Sequence, residues 1–145
     1  MNLFGMMDVS ASALGAERIR AEVVAANLAN AESTRTTQGG PYQRKQVIFE
    51  SRAQRFPLML AGARTGEASA GGVQVSQVVS DPAPPVLRYE PSHPDADARG
   101  YVAYPNINPV MEMTDLLGVV RSYQLNIAAV NASKQMIQQS IDILR

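Results

Sequence analysis

Apolar side chains recur along this chain with two different periods, and the change of period divides it. Leu116, Val120, Tyr123, Ile127, Val130, Lys134, Ile137, Ile141 and Leu144 follow one another in steps of four and three, and eight of the nine are apolar. Such steps keep to one side of an α-helix, so the spacing predicts a helix over residues 111–145 with an a/d seam of about four heptads. Outside the seam the helix is polar without being ionic: Gln124, Asn131, Gln135, Gln138, Gln139 and Ser140 carry amides and a hydroxyl. Between Glu112 and Arg145 only six residues are charged, three of each sign. A solvated coiled coil normally carries many more. Amides and hydroxyls can be packed against other helices at far lower desolvation cost than ions. Two readings stay open, a core helix of this chain or a helix surrounded by other subunits, and the pattern favours the second.

The other end repeats the theme more weakly. Leu3, Met7, Ser10, Leu14, Glu17, Ala21, Val24 and Leu28 form a seam in which six of eight positions are apolar, with alanines on the remaining faces. A helix over residues 1–34 follows. About 30 helical residues make a rod of roughly 45 Å, too long for one small domain to cover. The expected architecture is mainly α, with these two long helices pairing as an antiparallel coiled coil and a small β-rich region, residues 35–110, between them.

Helix breakers mark that middle. All nine prolines lie there, seven of them from Pro82 to Pro109, and six glycines fall between Gly39 and Gly72. Gly39-Gly40-Pro41 reads as a turn and Gln46-Val47-Ile48-Phe49 as a short strand. Val73, Val75 and Val78 or Val79 predict a second strand, residues 86–90 a third, and Tyr101 to Tyr104 a fourth. Residues 61–72 are small and polar without period, and are expected to be a mobile loop. Asn108 or Thr114 is the expected cap before the last helix.

Composition narrows the function classes. Thirteen basic and thirteen acidic residues balance to a formal charge of zero, so no basic excess exists to neutralise nucleic-acid phosphates. The absence of cysteine excludes disulfides, thiolate catalysis and cysteine-ligated zinc. The N-terminus lacks a basic stretch and meets Asp8 early, unlike a secretory signal peptide. No apolar run approaches the roughly 18 residues of a membrane span.

Chemistry is hard to find. His93, Asp95 and Asp97 offer one nitrogen and two carboxylates in a His-Pro-Asp-Ala-Asp stretch, yet a proline-directed turn explains them better than a metal. His93 is the only histidine, and neither a nucleophile elbow nor a phosphate-binding glycine loop is present. The expectation is no enzyme, no catalytic residues, no metal and no cofactor.

The stretch ANLANAESTRT, ending the first helix, resembles the asparagine motif of bacterial flagellar rod and hook proteins. GGPYQRKQVIF follows at the expected place. HPDADARGYVAYPNINPVMEMTDL, residues 93–116, resembles the signature of a proximal rod member, and RSYQLNIAAVNASKQM, residues 121–136, resembles the family's C-terminal helix with its Arg, Tyr and Asn. The match runs from about residue 3 to 144 and is weak only over 57–80. Leu125 departs from it, standing where many relatives carry alanine. The resemblance implies a structural subunit of the basal-body rod, a hollow shaft carrying motor torque across the periplasm. It implies as partners other rod subunits and further copies in a helical assembly, the flagellar type III export apparatus in transit without a cleaved signal peptide, and the basal-body ring. Neither nucleic acid nor a small-molecule substrate is expected. The alternatives are another axial subunit, of rod or hook, or a coiled-coil export adaptor. An adaptor would carry charged flanks that this seam lacks.

The candidate site residues fall into three groups. Asn27, Asn30 and Thr34 form a helix-end motif; the two asparagines share a helix face and either terminate the helix or bind another subunit's backbone. Leu14, Val24, Leu28, Leu116, Val120 and Tyr123, with Asn126, Ile127, Val130, Ile137 and Ile141, are candidates for helix packing in assembly. Glu17 and Lys134 are the only charges in the two seams. An antiparallel register that joins them sets Leu14 opposite Ile137, Val24 opposite Ile127 and Leu28 opposite Tyr123, so an intrachain Glu17–Lys134 pair is expected.

Overall fold

The computed structural model describes residues 3–37, 39–52 and 71–143. Helix α1 spans Leu3–Ala29, strands β1 Lys45–Arg52, β2 Gly72–Ser80, β3 Val86–Tyr89 and β4 Tyr101–Tyr104 follow, and helix α2 spans Pro109–Ile143. Residues 61–70 of the loop expected at 61–72 lie outside the described residues.

Each helix begins or ends where its sequence supplies a partner for exposed backbone. Asn108 caps α2: its side-chain oxygen accepts from the amides of Val110 at 3.0 Å and Met111 at 3.4 Å. Pro109 then takes the first helical position, where a missing N–H costs nothing. The link from β4 to α2 is residues 105–108. At the other junction α1 stops at Ala29, five residues before the boundary expected from the sequence.

The strands form two separate antiparallel ribbons. β1 pairs with β2, from Lys45 opposite Ser80 to Arg52 opposite Gly72. Ile48 faces Gln77 while Phe49 faces Val75, so Ser76 is an extra residue and the ribbon carries a bulge. β3 pairs with β4, Val86 opposite Tyr104 and Tyr89 opposite Tyr101. Gly100 enters β4 with φ of 81°, where a Cβ would come within 2.9 Å of the Tyr89 ring.

α1 is the common support. It packs against α2, β1 and β2. Ser12 on α1 accepts a hydrogen bond from the Val73 amide at 3.1 Å and pins the start of β2 to the helix. Gly72 is needed there for space, since an added Cβ would lie 2.7 Å from the Ser12 hydroxyl.

The two helices meet in opposite chain directions. Glu17 of α1 lies against Ser122 of α2, and Asn27 against Glu112. Ten residues forward on α1 is thus ten residues back on α2. This register corrects the one expected from the charges. Glu17 is bonded to Ser122, twelve residues and roughly 18 Å of helix away from Lys134, and Lys134 is exposed. The pairings of Leu14 with Ile137, Val24 with Ile127 and Leu28 with Tyr123 lapse with it.

The buried face of α2 differs from its apolar seam. Glu112, Val119 and Ser133 are buried, and Ser122 and Asn126 are half-buried beside them. Val120, Tyr123, Ile127 and Ile141 are 45, 40, 40 and 55% exposed. The helix has turned by about one residue, roughly 100°, from the orientation in which its seam would meet α1. Among the described seam residues, Leu116, Val130 and Ile137, at the seam's edge, remain half-buried. On α1 the residues shown to meet α2 are Glu17 and Asn27, and these two polar side chains take polar partners, Ser122 and Glu112, from it.

Candidate functional site

The densest polar contacts join α1, β1 and α2 at one point. Asn27 sits on the last turns of α1 and is 1% exposed. Its Nδ2 donates to the Lys45 carbonyl at 2.8 Å, and its Oδ1 accepts from the Lys45 amide at 2.8 Å. The same Oδ1 accepts from the Tyr42 hydroxyl at 3.2 Å, and Nδ2 also donates to Glu112 Oε2 at 3.1 Å. All of the amide's donors and acceptors are used, which is what a buried amide requires.

Glu112 is the charged member. It is 1% exposed, and its Oε1 accepts from Arg44 Nε at 2.6 Å. Arg44 also reaches Asp115 at 3.8 Å and Asp81 at 4.0 Å. A carboxylate removed from water this far needs a cation and further donors; Arg44 supplies the first and Asn27 the second. Burial, and then the Glu112 carboxylate, push the Tyr42 phenol above its ordinary value. The junction can hold two helices and a strand in fixed relation. Every polar atom named in it is spent on that task, and no nucleophile is left beside a base.

The helix-end motif divides. Asn30 closes α1: its Nδ2 donates to the Ala26 carbonyl at 2.9 Å, and its Oδ1 accepts from the Ser33 hydroxyl at 3.1 Å. Asn27 binds backbone as one reading had it, but the backbone is that of β1 in the same chain. Thr34 lies beyond the helix and donates to Asp95 Oδ2 at 2.8 Å, tying the exit of α1 to the turn before β4.

That bond also engages one of the three residues weighed for a metal. The Asp95 carboxylate faces Thr34 and, at 3.7 Å, Arg35. His93 Nδ1 accepts from the Asp95 amide at 3.1 Å, and Asp97 Oδ1 accepts from the amides of Arg99 and Tyr101 at 2.8 Å each. Asp97 thereby shapes the turn into β4 as a side chain bonding nearby backbone.

Among the packing candidates Val24 is buried, while Leu14 and Leu28 are half-buried. On α2, Asn126 is half-buried and donates to the Ser122 carbonyl of its own helix at 3.0 Å. Tyr123, Val120 and Ile127 continue an exposed apolar stripe that includes Met113 and Leu117, 56 and 58% exposed. Sequence reasoning missed Arg44, Tyr42, Glu112 and Ser122. Glu112 had a signal, as one of the few charges on a helix of uncharged faces. Arg44 and Tyr42 had none, because only the fold brings them to α2.

Two segments match family models: residues 7–35 match the flagella basal body rod protein family, and residues 98–143 match the flagellar basal body rod FlgEFG protein C-terminal family. The flagellar basal-body rod protein FlgC of Bacillus subtilis is 43% identical over 148 residues, covering 99% of each chain. That of Salmonella typhimurium is 41% identical over 143 residues, covering 99% of this chain and 98% of its own. That of Borreliella burgdorferi is 36% identical over 153 residues, covering 100% and 99%. Identity of this degree from end to end takes in both helices and the junction between them, and the chain belongs to the flagellar basal-body rod protein FlgC family.

Proposed function

We propose that this chain is a structural subunit of the proximal part of the flagellar basal-body rod, carrying torque through packed helices and performing no catalysis. The observation that carries the reading is the exposed apolar stripe of α2 from Met113 to Ile127 on a chain of this family. A free globular domain would turn that stripe inward; a subunit turns it toward its neighbours. In the assembled rod the stripe pairs as a coiled coil with helices of adjacent subunits. The buried junction of Asn27, Arg44 and Glu112 keeps the arms of each subunit from shearing under load. The rod's place in the periplasm, passage through the type III apparatus and contact with the basal-body ring belong to the same reading.

Electron cryomicroscopy of basal bodies from cells whose only copy of the chain carries an internal tag tests it. Density for the tag on the rod is the expected result. Recovery of the chain only as a soluble dimer, with rods complete without it, would favour an export adaptor and overturn the reading.

A further inference from the structure

Two side-chain pairs bond α2 to α1. Asn27 donates to Glu112 at 3.1 Å, and the Ser122 hydroxyl donates to Glu17 at 2.9 Å. Contacts ten residues apart on each helix fix how a rigid α2 is rotated. The rotation they fix leaves Val120, Tyr123 and Ile127 exposed, while Val119 and Ser133 are buried. Stability alone does not explain the choice of Glu17. It stands in a mostly apolar seam, and its Oε2 is buried with no hydrogen-bond partner. A leucine at that position would bury apolar surface without leaving a polar atom unsatisfied. A buried acid that does little for stability can still decide between two packings.

Between the two pairs lies Gly118, the one glycine of α2. Glycine weakens a helix interior relative to alanine, and neither usual reason for it applies here. A Cβ at Gly118 would meet nothing within 4 Å, and its φ is not positive. What glycine does permit is an irregular turn. A π-turn takes one extra residue into a helix and rotates everything beyond it by about 100°. Glu112 is held by Arg44 and Asn27. One extra residue at Gly118 would then set Val120 in the place of Val119, Tyr123 in that of Ser122 and Ile127 in that of Asn126. The apolar stripe would be turned onto the chain itself. Lys134 would take the place of the buried Ser133, with a side chain long enough to reach water. Glu17 would lose the Ser122 hydroxyl, leaving a carboxylate beside Tyr123 with neither oxygen bonded to α2.

We propose that Glu17 is a positioning residue that holds the apolar stripe of α2 outward, by penalising a one-residue slip of the helix at Gly118. The proposal deepens the structural-subunit reading and rests on it for the consequence: a slipped chain covers its own stripe, is more stable alone and does not assemble.

Labelling of single cysteines tests it, since the chain has none of its own. Val120→Cys and Ser133→Cys are introduced separately into the full chain, which is purified free and treated with a maleimide. Circular dichroism first shows that each melts like the chain it was made from. Without further change, Val120→Cys should react at least tenfold faster than Ser133→Cys. Glu17→Leu should invert that order, raise the melting temperature and, in cysteine-free cells' copies of the chain, abolish swimming. Glu17→Gln, which still accepts from Ser122, should leave both the order and swimming as they were. Adding Gly118→Ala to Glu17→Leu should bring both back. An unchanged order in Glu17→Leu, or a lower melting temperature, means that Glu17 only supports the helix pair and overturns the proposal. An inversion that survives Gly118→Ala takes the slip away from Gly118 and overturns it equally. An inverted chain that still swims leaves the lock standing and overturns the reading in which the stripe carries assembly.

Discussion

Asn27 and Lys45 exchange two hydrogen bonds of the kind that usually joins neighbouring strands, donor for acceptor at 2.8 Å each, although Asn27 belongs to a helix. An amide side chain thereby stands in for a strand partner. Asn27→Ala should destabilise the chain by about 3 kcal/mol, because it strands buried groups on Lys45 and Glu112 besides losing its own bonds. Asn27→Asp should be at least as harmful, since it removes both donors and sets a second carboxylate against Glu112. Urea unfolding of the full chain followed by circular dichroism checks both. An Asp variant as stable as the parent would contradict the donor assignment.

Arg44 and Glu112 form a pair in which one member is buried and the other partly so, with side chains 26 and 1% exposed. Arg44→Met leaves an unpaired buried carboxylate and should cost about 3–5 kcal/mol. The double change Arg44→Met with Glu112→Leu should regain most of that loss. A double-mutant cycle measures the coupling, and strictly additive losses would mean the pair is held apart in solution.

Val119 and Ile127 lie two helical turns apart and answer to different surroundings. Val119 is 2% exposed and faces α1, while Ile127 is 40% exposed. Val119→Asp should unfold the monomer or cost it at least about 3 kcal/mol. Ile127→Asp should shift the monomer's stability by no more than about 1 kcal/mol and yet abolish motility. Thermal melts and a soft-agar swimming assay separate the two effects.

Glu17 is bonded to Ser122, and its second carboxylate oxygen is buried without a hydrogen-bond partner. Lys134 lies elsewhere on α2. Glu17→Gln and Lys134→Met should therefore act additively, with a coupling below about 0.5 kcal/mol. A coupling several times larger would restore the ion pair expected from the seams.

Tyr42 contributes a pH dependence whose sign is fixed. Its ordinary value of 10.0 is raised in the fold by burial and then by Glu112. The folded state thus holds the phenolic proton more tightly, and the stability gained is complete below pH 10.0 and lost as pH rises through the raised value. The melting temperature of the parent should fall more steeply above that pH than that of Tyr42→Phe. Parallel curves would remove Tyr42 from the junction's energetics.

Much of the architecture was legible because breakers and periods act locally. Glycines and prolines punctuate the middle, alternating valines mark β2, and the four-three spacing marks α2. What the spacing could not say was which surface the apolar stripe would meet. A period reports that one side of a helix is apolar; it does not report whether the neighbour is this chain or another. The charges misled for a related reason. Matching Glu17 to Lys134 assumed that the acid needs a cation, whereas Ser122 met it with a hydroxyl. The junction was least legible, since Asn27, Arg44 and Glu112 are joined by bonds spanning 68 and 85 residues of sequence. Only Asn30 acts on its immediate neighbours, and capping chemistry describes its role in full.

An α2 that turns serine and asparagine inward leaves Ile127, Ile141 and Ile143 exposed to solvent in the free chain. Covering a half-exposed aliphatic side chain is worth about 1 kcal/mol, and a stripe of them is worth several. In the structural-subunit reading proposed above, gains of that size would set a threshold concentration, below which a growing end would lose subunits and above which it would add them. Growth would then answer to the rate at which chains arrive, and the two helices would need to be no more stable alone than delivery requires.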